Sequence, residues 1–512
     1  MIKNKSVYLA SDDDFKKLEN SIDFIQKGYL TKTCDNQIGT IDEIKYNIWS
    51  VGKRLKVEIE YPYYDKEYLN EHSSFYGKTF NPPLNKTFRL IFYSKSGNNK
   101  YNLMGYIILV PTPSLNHIGR VSFDPKFLLE GPAHLILTDC KMHFDGKKSV
   151  FKMFPHARQY GLAACGHISI WAVSKFVGSN WDRYSEKEFE QIVKTVNLIN
   201  PKTKLSPPEL TVAEISGVLS EFGYRPLFKP YTEDNQTDFI CELYSYIDSG
   251  IPLVLFDGKY NHATVGLGYK RNTSFEFNNS PIKALSQYDE NKYKIVDEML
   301  DGKRVGDIKV YSDKVFYRNV IVNDDNSFPY KSIALYENNS YDDRIDLSLL
   351  NLFGFIAPLY PRINIEYADV SDYSNFIIRD KGLELGFIQE DQTNVFVRIF
   401  LATANKCRQH LFEQVRNSAF AKRVYSVLKT VELPKLCWVI EYSNQIEQNS
   451  QLISGFTLLD STHSFNDTVI ELFNCGSNAV EYYDNDKNDY EVKPINLSKQ
   501  SLIRYNKNLY EI

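Results

Sequence analysis

The chain has 512 residues, 43% of them hydrophobic and 14% aromatic, which is ample for a large core and for two or three domains. Its formal net charge of -4 offers no broad attraction to nucleic acid or to an anionic membrane, and no run approaches the roughly 20 apolar residues of a membrane span. The opening Met1-Ile-Lys-Asn-Lys gives way to Asp12-Asp13-Asp14, unlike a signal peptide, so a soluble cytoplasmic protein with no membrane or nucleic-acid partner is expected.

Seven cysteines, Cys34, Cys140, Cys165, Cys241, Cys407, Cys437 and Cys475, lie far apart with no Cys-x-x-Cys pair and no Cys/His cluster at metal-ligand spacing. Most read as small buried hydrophobes, and neither a metal nor a cofactor is expected.

Residues 1–150 read as an α+β module. An amphipathic helix is expected from Phe15 to Gln26, and strands at Leu55–Tyr61, Phe88–Tyr93, Leu103–Val110 and His134–Asp139. The aromatic segment from Tyr61 to Leu69, with Phe75 and Tyr76 after it, reads as packed core in preference to a peptide groove. His117, His134 and His143 fall on different elements and make no metal pattern.

Residues 151–332 carry the chemistry. Gln159-Tyr-Gly-Leu-Ala-Ala-Cys165-Gly delivers a cysteine to the start of an apolar helical run, with Ile168, Trp171, Ala172 and Lys175 on one face and Gly178 as its stop. A thiol there meets the free N–H groups of a first helical turn, which favour its ionised form. The side-chain amide of Gln159 and the N–H of Cys165 are suited to form an oxyanion hole. Ser185-Glu-Lys-Glu188 and Thr211-Val-Ala-Glu214 read as capping boxes of two core-facing helices. A helix over Phe239–Ile247 then ends near Gly250, and a buried strand follows over Ile251–Phe256. After a turn at Asp257-Gly258, His262 opens the next strand. A third strand ends at Val322, two places before Asp324 and Asp325. Because side chains alternate across a strand, only one of these two carboxylates is expected to face His262. His167 is a decoy base, since positions two apart on a helix point in different directions. The resulting order of cysteine nucleophile, histidine base and orienting carboxylate is the order a thiol enzyme requires.

Residues 333–512 read as a further α+β unit with strands at Val395–Leu401, Trp438–Tyr442, Phe456–Leu459 and Val469–Phe473, and one helical stretch from about Lys406 to Leu428. Lys406, Arg408, Arg416, Lys422, Arg423 and Lys429 are spread around that stretch, which indicates a solvated surface and not a nucleic-acid groove. His463, near Asp460 and Ser461, has no glycine elbow or oxyanion partner and is set aside.

The set Gln159-x5-Cys165-Gly, Asn261-His262-Ala-Thr-Val-Gly-Leu-Gly-Tyr and Val322-Asn-Asp324-Asp-Asn-Ser-Phe-Pro-Tyr resembles papain-like cysteine peptidases, most of all the bacterial branch that includes the double-glycine leader peptidases. The resemblance covers roughly residues 151–332, and neither flank resembles a known family. It implies a papain-like core, a helix-borne cysteine packed on an antiparallel sheet, with Gln159 in the oxyanion hole, Cys165 as nucleophile, His262 as general base and Asp324 as the orienting third member. Such enzymes work on protein or peptide substrates in the cytoplasm. Two features depart from the family. Gly166-His167 stands where many members have an aromatic residue after the cysteine, and the insert 270–314 is long enough to act as a lid or to keep the site latent.

The expectation is therefore an α+β protein with an N-terminal substrate-presenting or regulatory domain (1–150), a peptidase domain (151–332) and a C-terminal domain (333–512) of unassigned role. The leading reading is a cysteine peptidase or isopeptidase, its flanks open to a regulatory protein partner. An acyltransferase of transglutaminase type and a non-catalytic binding protein on the same scaffold are the alternatives.

Overall fold

The computed structural model describes residues 3–27, 38–48, 54–74, 77, 82–96, 100–111, 116–158, 165–200, 209–258, 261–271, 303–305, 308–335, 352–388, 394–462, 470–495 and 501–512. Cys34, Phe75, Tyr76, Gln159, His463 and most of the insert 270–314 lie outside these residues.

The N-terminal stretch contributes β1 (Lys3–Leu9), α1 (Asp12–Lys27), α2 (Ile38–Ile48), β2 (Leu55–Tyr63), α3 (Lys66–Ser74), β3 (Thr87–Ser96), β4 (Lys100–Pro111) and β5 (Asn116–Phe123). The middle contributes β6 (His134–Leu135), β7 (Thr138–Phe144), β8 (Lys147–Met153), α4 (Cys165–Asn180), α5 (Phe189–Ile199), α6 (Val212–Glu221), β9 (Arg225–Pro230) and α7 (Gln236–Asp248). It continues with β10 (Leu253–Asp257), β11 (His262–Arg271), β12 (Lys303–Val305), β13 (Ile308–Ser312), β14 (Tyr317–Asn323) and β15 (Lys331–Ala334). Then come β16 (Leu352–Leu359), α8 (Tyr367–Leu385), β17 (Asn394–Thr403), α9 (Ala404–Gln414), α10 (Ala419–Leu428), β18 (Leu436–Ser443) and α11 (Gln445–Asn449). The chain ends with β19 (Leu452–Ile453), β20 (Gly455–Asp460), β21 (Glu471–Cys475), β22 (Ala479–Asp484), β23 (Asp489–Pro494), β24 (Leu502–Ile503) and β25 (Tyr510–Glu511).

The protein is α+β, with helices packed on several largely antiparallel sheets. The N-terminal sheet is a meander in the order β1-β2-β3-β4-β5. In β2 the buried residues Leu55, Val57, Ile59 and Tyr61 alternate with half-exposed ones, the period of a strand with one covered face. Tyr68 of the aromatic segment is buried with Tyr61, while Tyr64 is exposed, so that segment is core in part.

The sheet that bears His262 runs β15-β14-β11-β10-β16-β9, with β6 and β25 added beside β11. All five residues of β10 are buried, so this strand must be covered on both faces and paired on both edges. Its second partner, β16, comes from beyond residue 332. Conversely, β12 and β13, at the end of the expected insert, lie in the C-terminal sheet, where β13 runs parallel to β17. β25 pairs with β6, which in turn pairs with β11. Strand pairing thus crosses the divisions expected at 150 and 332.

Several local expectations shift for identifiable reasons. α5 starts after Glu188, whose box partner is Gln191, and not at Ser185. Thr211 and Glu214 do form the box that starts α6. Gly178 does not stop α4, which runs on to Asn180; a Cβ at Gly178 would lie 2.4 Å from the Glu186 nitrogen, so the glycine admits the following loop. The stretch 406–428 is two helices, the second begun by Ser418, whose Oγ accepts from the Ala421 N–H at 3.0 Å. The expected strand 134–139 is divided between β6 and β7. Among the described residues no helix is long and apolar enough to cross a membrane.

A buried ionic cluster ties the two large sheets together. Asp248, at the end of α7, accepts from Tyr269 Oη at 2.6 Å, Tyr317 Oη at 2.9 Å and Arg398 Nε at 3.1 Å, and is paired with Lys314. Arg398 continues to Glu441 at 3.0 Å, and Asp313 pairs with Lys314 at 3.3 Å and with Arg504. Removing one member leaves opposite charges buried without a partner, at a cost of about 3–5 kcal/mol. Asp248→Ala is accordingly expected to lower the urea midpoint of the full chain markedly. Asp380→Ala, which deletes only a surface pair with Arg379, should change stability by no more than about 0.5 kcal/mol.

Candidate active site

α4 spans Cys165–Asn180, and the Cys165 side chain at its first described residue is half-buried. One turn later, Ser169 Oγ donates to the Ala263 carbonyl at 3.4 Å, which fixes the start of β11 against the cysteine helix. Asn261, immediately before His262, adopts a left-handed conformation (φ 51°) that asparagine tolerates better than most residues, and its side-chain amide donates to Glu209 at 3.1 Å. The backbone therefore turns sharply just before the imidazole.

His262 Nε2 lies 2.7 Å from Asp324 Oδ1. The same carboxylate oxygen accepts the Asn326 N–H at 3.1 Å, a local turn that holds Asp324 in place. The Cys165 thiol is a further hydrogen-bonding partner of the His262 ring. Because Asp324 occupies Nε2, Nδ1 is the ring nitrogen left for the sulfur. The structure thus brings Cys165, His262 and Asp324 together; Gln159 lies outside the described residues.

Alternation does not separate Asp324 from Asp325. Both stand beyond the last residue of β14, in a turn closed by Ser327 N–H to the Asp324 carbonyl at 3.3 Å, where the two-residue strand period no longer applies. Both carboxylates therefore reach the imidazole, Asp324 at 2.7 Å and Asp325 at 3.5 Å. His167 is buried with its ring against Phe189, 5.9 Å between centroids, and Cys165 takes its hydrogen bond from His262. At Gly166 a Cβ would already lie 3.1 Å from Leu210 and Ile215, so Leu210 and Ile215 occupy the space an aromatic residue would need there.

The charges follow from this geometry. Burial opposes the imidazolium of His262, but the hydrogen bond that its Nε2–H donates to Asp324, the contact with the Cys165 thiol and the nearby carboxylate charges outweigh it and push the ring up to about 11. Burial also opposes the Asp324 carboxylate, and the His262 hydrogen bond and charge hold it below the usual range all the same. Burial and the Asp324 charge push Asp325 up to about 7. Burial raises the thiols of Cys140, Cys241, Cys407, Cys437 and Cys475.

Two further residues complete the site without a readable sequence signal. Asn326 places its side-chain amide 3.5 Å from His262 Nε2. His156 is buried, and its Nε2 donates to the carbonyls of Asp324 at 3.1 Å and Ser327 at 3.0 Å; burial pushes it down to about 4, which leaves the ring neutral. The only hint was its position three residues before Gln159. Phe154 N–H to Tyr330 Oη at 2.9 Å and Arg158 Nη2 to the Asn326 carbonyl at 3.0 Å stitch the same two segments together.

His262, Asp324 and Asp325 each bring one donor atom within 4.8 Å of the others, the grouping among the described residues that could hold a metal ion. A cation would need the Nε2 lone pair, where the Asp324 hydrogen bond instead favours a proton. No family model, curated protein or solved structure matches the chain.

Two outcomes are expected. Asp324→Asn withdraws the anion that favours the imidazolium, so the His262 titration midpoint, read from its ring ¹⁵N shifts, falls toward the ordinary value; an unchanged midpoint would remove Asp324 from that role. Asp325 is raised from 3.8 to about 7, so its ionisation works against folding once the pH passes the unfolded value. Asp325→Asn should therefore match wild-type stability in acid below 3.8 and exceed it above pH 7, as measured by denaturant melts across pH.

Proposed function

We propose that the chain is a papain-like cysteine peptidase or isopeptidase that works in the cytoplasm on a protein or peptide substrate. The observation that carries this reading is the alignment of a half-buried thiol at a helix start, an imidazole held in the protonated form, and a buried carboxylate 2.7 Å from the imidazole. The antiparallel sheet beneath the cysteine helix, and the chain order of cysteine, histidine and aspartate, favour a papain-like core of the double-glycine leader peptidase kind.

In the proposed mechanism the Cys165 sulfur, its proton held by His262, attacks the carbonyl carbon of the scissile amide. The oxyanion is taken up by the Cys165 N–H and the Gln159 side-chain amide. His262 passes its proton to the leaving amine, which departs and leaves a thioester on Cys165. A water molecule deprotonated by His262 then attacks the thioester, and release of the acid returns the proton to the thiol. Asp324 holds the ring so that Nε2 faces the carboxylate and Nδ1 faces sulfur. The N-terminal stretch is suited to present substrate or to take a regulatory partner.

The test is mass-resolved alkylation of all seven cysteines with iodoacetamide, from about pH 5 to about pH 9, on wild type and on His262→Ala. Cys165 is expected to react first in mild acid and to lose that advantage without His262. A Cys165 rate equal to that of a model thiol in both proteins would overturn the reading.

A further inference from the structure

Far from the cysteine, a cavity of about 430 Å³ opens between the C-terminal end of α4 and the start of α9. That volume lies within the range of about 300–1,000 Å³ typical of small-molecule sites. Its apolar wall carries Trp181 and Tyr360, whose rings meet with centroids 4.5 Å apart. The polar wall carries Thr403, Lys406 and Lys507. Lys507 is paired with Glu413 at 2.5 Å. Lys406 has no carboxylate partner among the described residues, and burial presses its ammonium toward the neutral form.

An ammonium half-withdrawn from water without a carboxylate partner is costly, and an anion entering the cavity would supply the counter-charge. The positive end of α9 lies on the same side, since Thr403 caps that helix through the Lys406 N–H at 3.3 Å. The indole and phenol, tilted 48° to each other with Lys435 Nζ 5.2 Å from the indole centroid, offer polarisable aromatic surface against which a planar ring can pack.

We propose that this cavity binds a small phosphomonoester carrying a planar ring, the chemistry of a mononucleotide, with its phosphate on Lys406 and its ring against Trp181 and Tyr360. The site is independent of the cysteine chemistry: it shares no side chain with Cys165, His262 or Asp324. Lys507, already shared with Glu413, contributes less than Lys406.

Adenosine monophosphate titrated into the full chain by calorimetry is the test. Saturable binding is expected, weakened at least about tenfold by Lys406→Met, several-fold by Trp181→Leu, and retained by Lys406→Arg. The exposed Lys429→Met should bind as wild type does. Adenosine alone and inorganic phosphate alone should each bind more weakly than the whole molecule, and phosphate should displace it competitively from wild type. That competition is read without any variant, so it stands even if Lys406→Met does not fold. The proposal is overturned if wild type does not bind adenosine monophosphate, if adenosine binds as well as the monophosphate, if phosphate alone binds as well, if phosphate fails to displace it, or if Lys429→Met weakens binding as much as Lys406→Met.

Discussion

The hydrogen bond between His262 Nε2 and Asp324 Oδ1 is only as good as the register of the two strands that deliver it. β11 and β14 run antiparallel, with Gly266 opposite Val322 and Tyr269 opposite Val320. At one end of this pair stand the imidazole and the two carboxylates. At the other end Tyr269 and Tyr317 stack at 3.9 Å, and both phenols donate to Asp248. A shift by one residue would turn every side chain of a strand to the opposite face, breaking the Asp248 contacts and the His262–Asp324 contact together. Fidelity at the site is thus secured from its distant end.

Electrostatics at the two ends are solved differently. In the Asp248 cluster, carboxylates, ammonium and guanidinium groups are packed closely enough for mutual pairing to offset their desolvation. Around His262 the balance is left uneven: Asp324 is held ionised, Asp325 is pushed toward its neutral form, and the imidazole keeps its proton.

Much of this was legible in the residues. Small residues before Cys165 and an apolar run after it mark a helix start, and the turn at Asp257-Gly258 marks the strand that His262 opens. What could not be read depends on contacts between segments distant in the chain. The alternation rule misjudged Asp324 and Asp325 because β14 ends one residue earlier, at Asn323. His156 gave no signal because its role is to hold two carbonyls more than 160 positions away, a partnership with no local period. Ser185 satisfied the pattern of a capping box, yet Glu188 and Gln191 satisfy it physically, since a motif states which residues are able to cap and packing decides which ones do.

The same contacts explain why the flanks are not appendages. Without β16 the fully buried β10 would expose a line of unpaired backbone groups along one edge, each costly to leave without a partner. Without Arg398 and Arg504 the ends of β11 and β14 would face Asp248 and Asp313 with Lys314 as their main counter-charge. From the N-terminal side, Glu67 of α3 pairs with Lys175 in the middle of α4 at 2.9 Å and accepts from Trp171 Nε1 at 3.1 Å, which anchors the cysteine helix halfway along its length. The segment 151–332 supplies Cys165, His262 and Asp324, but the strand edge, the counter-charges and the anchor that fix their geometry come from either side of it.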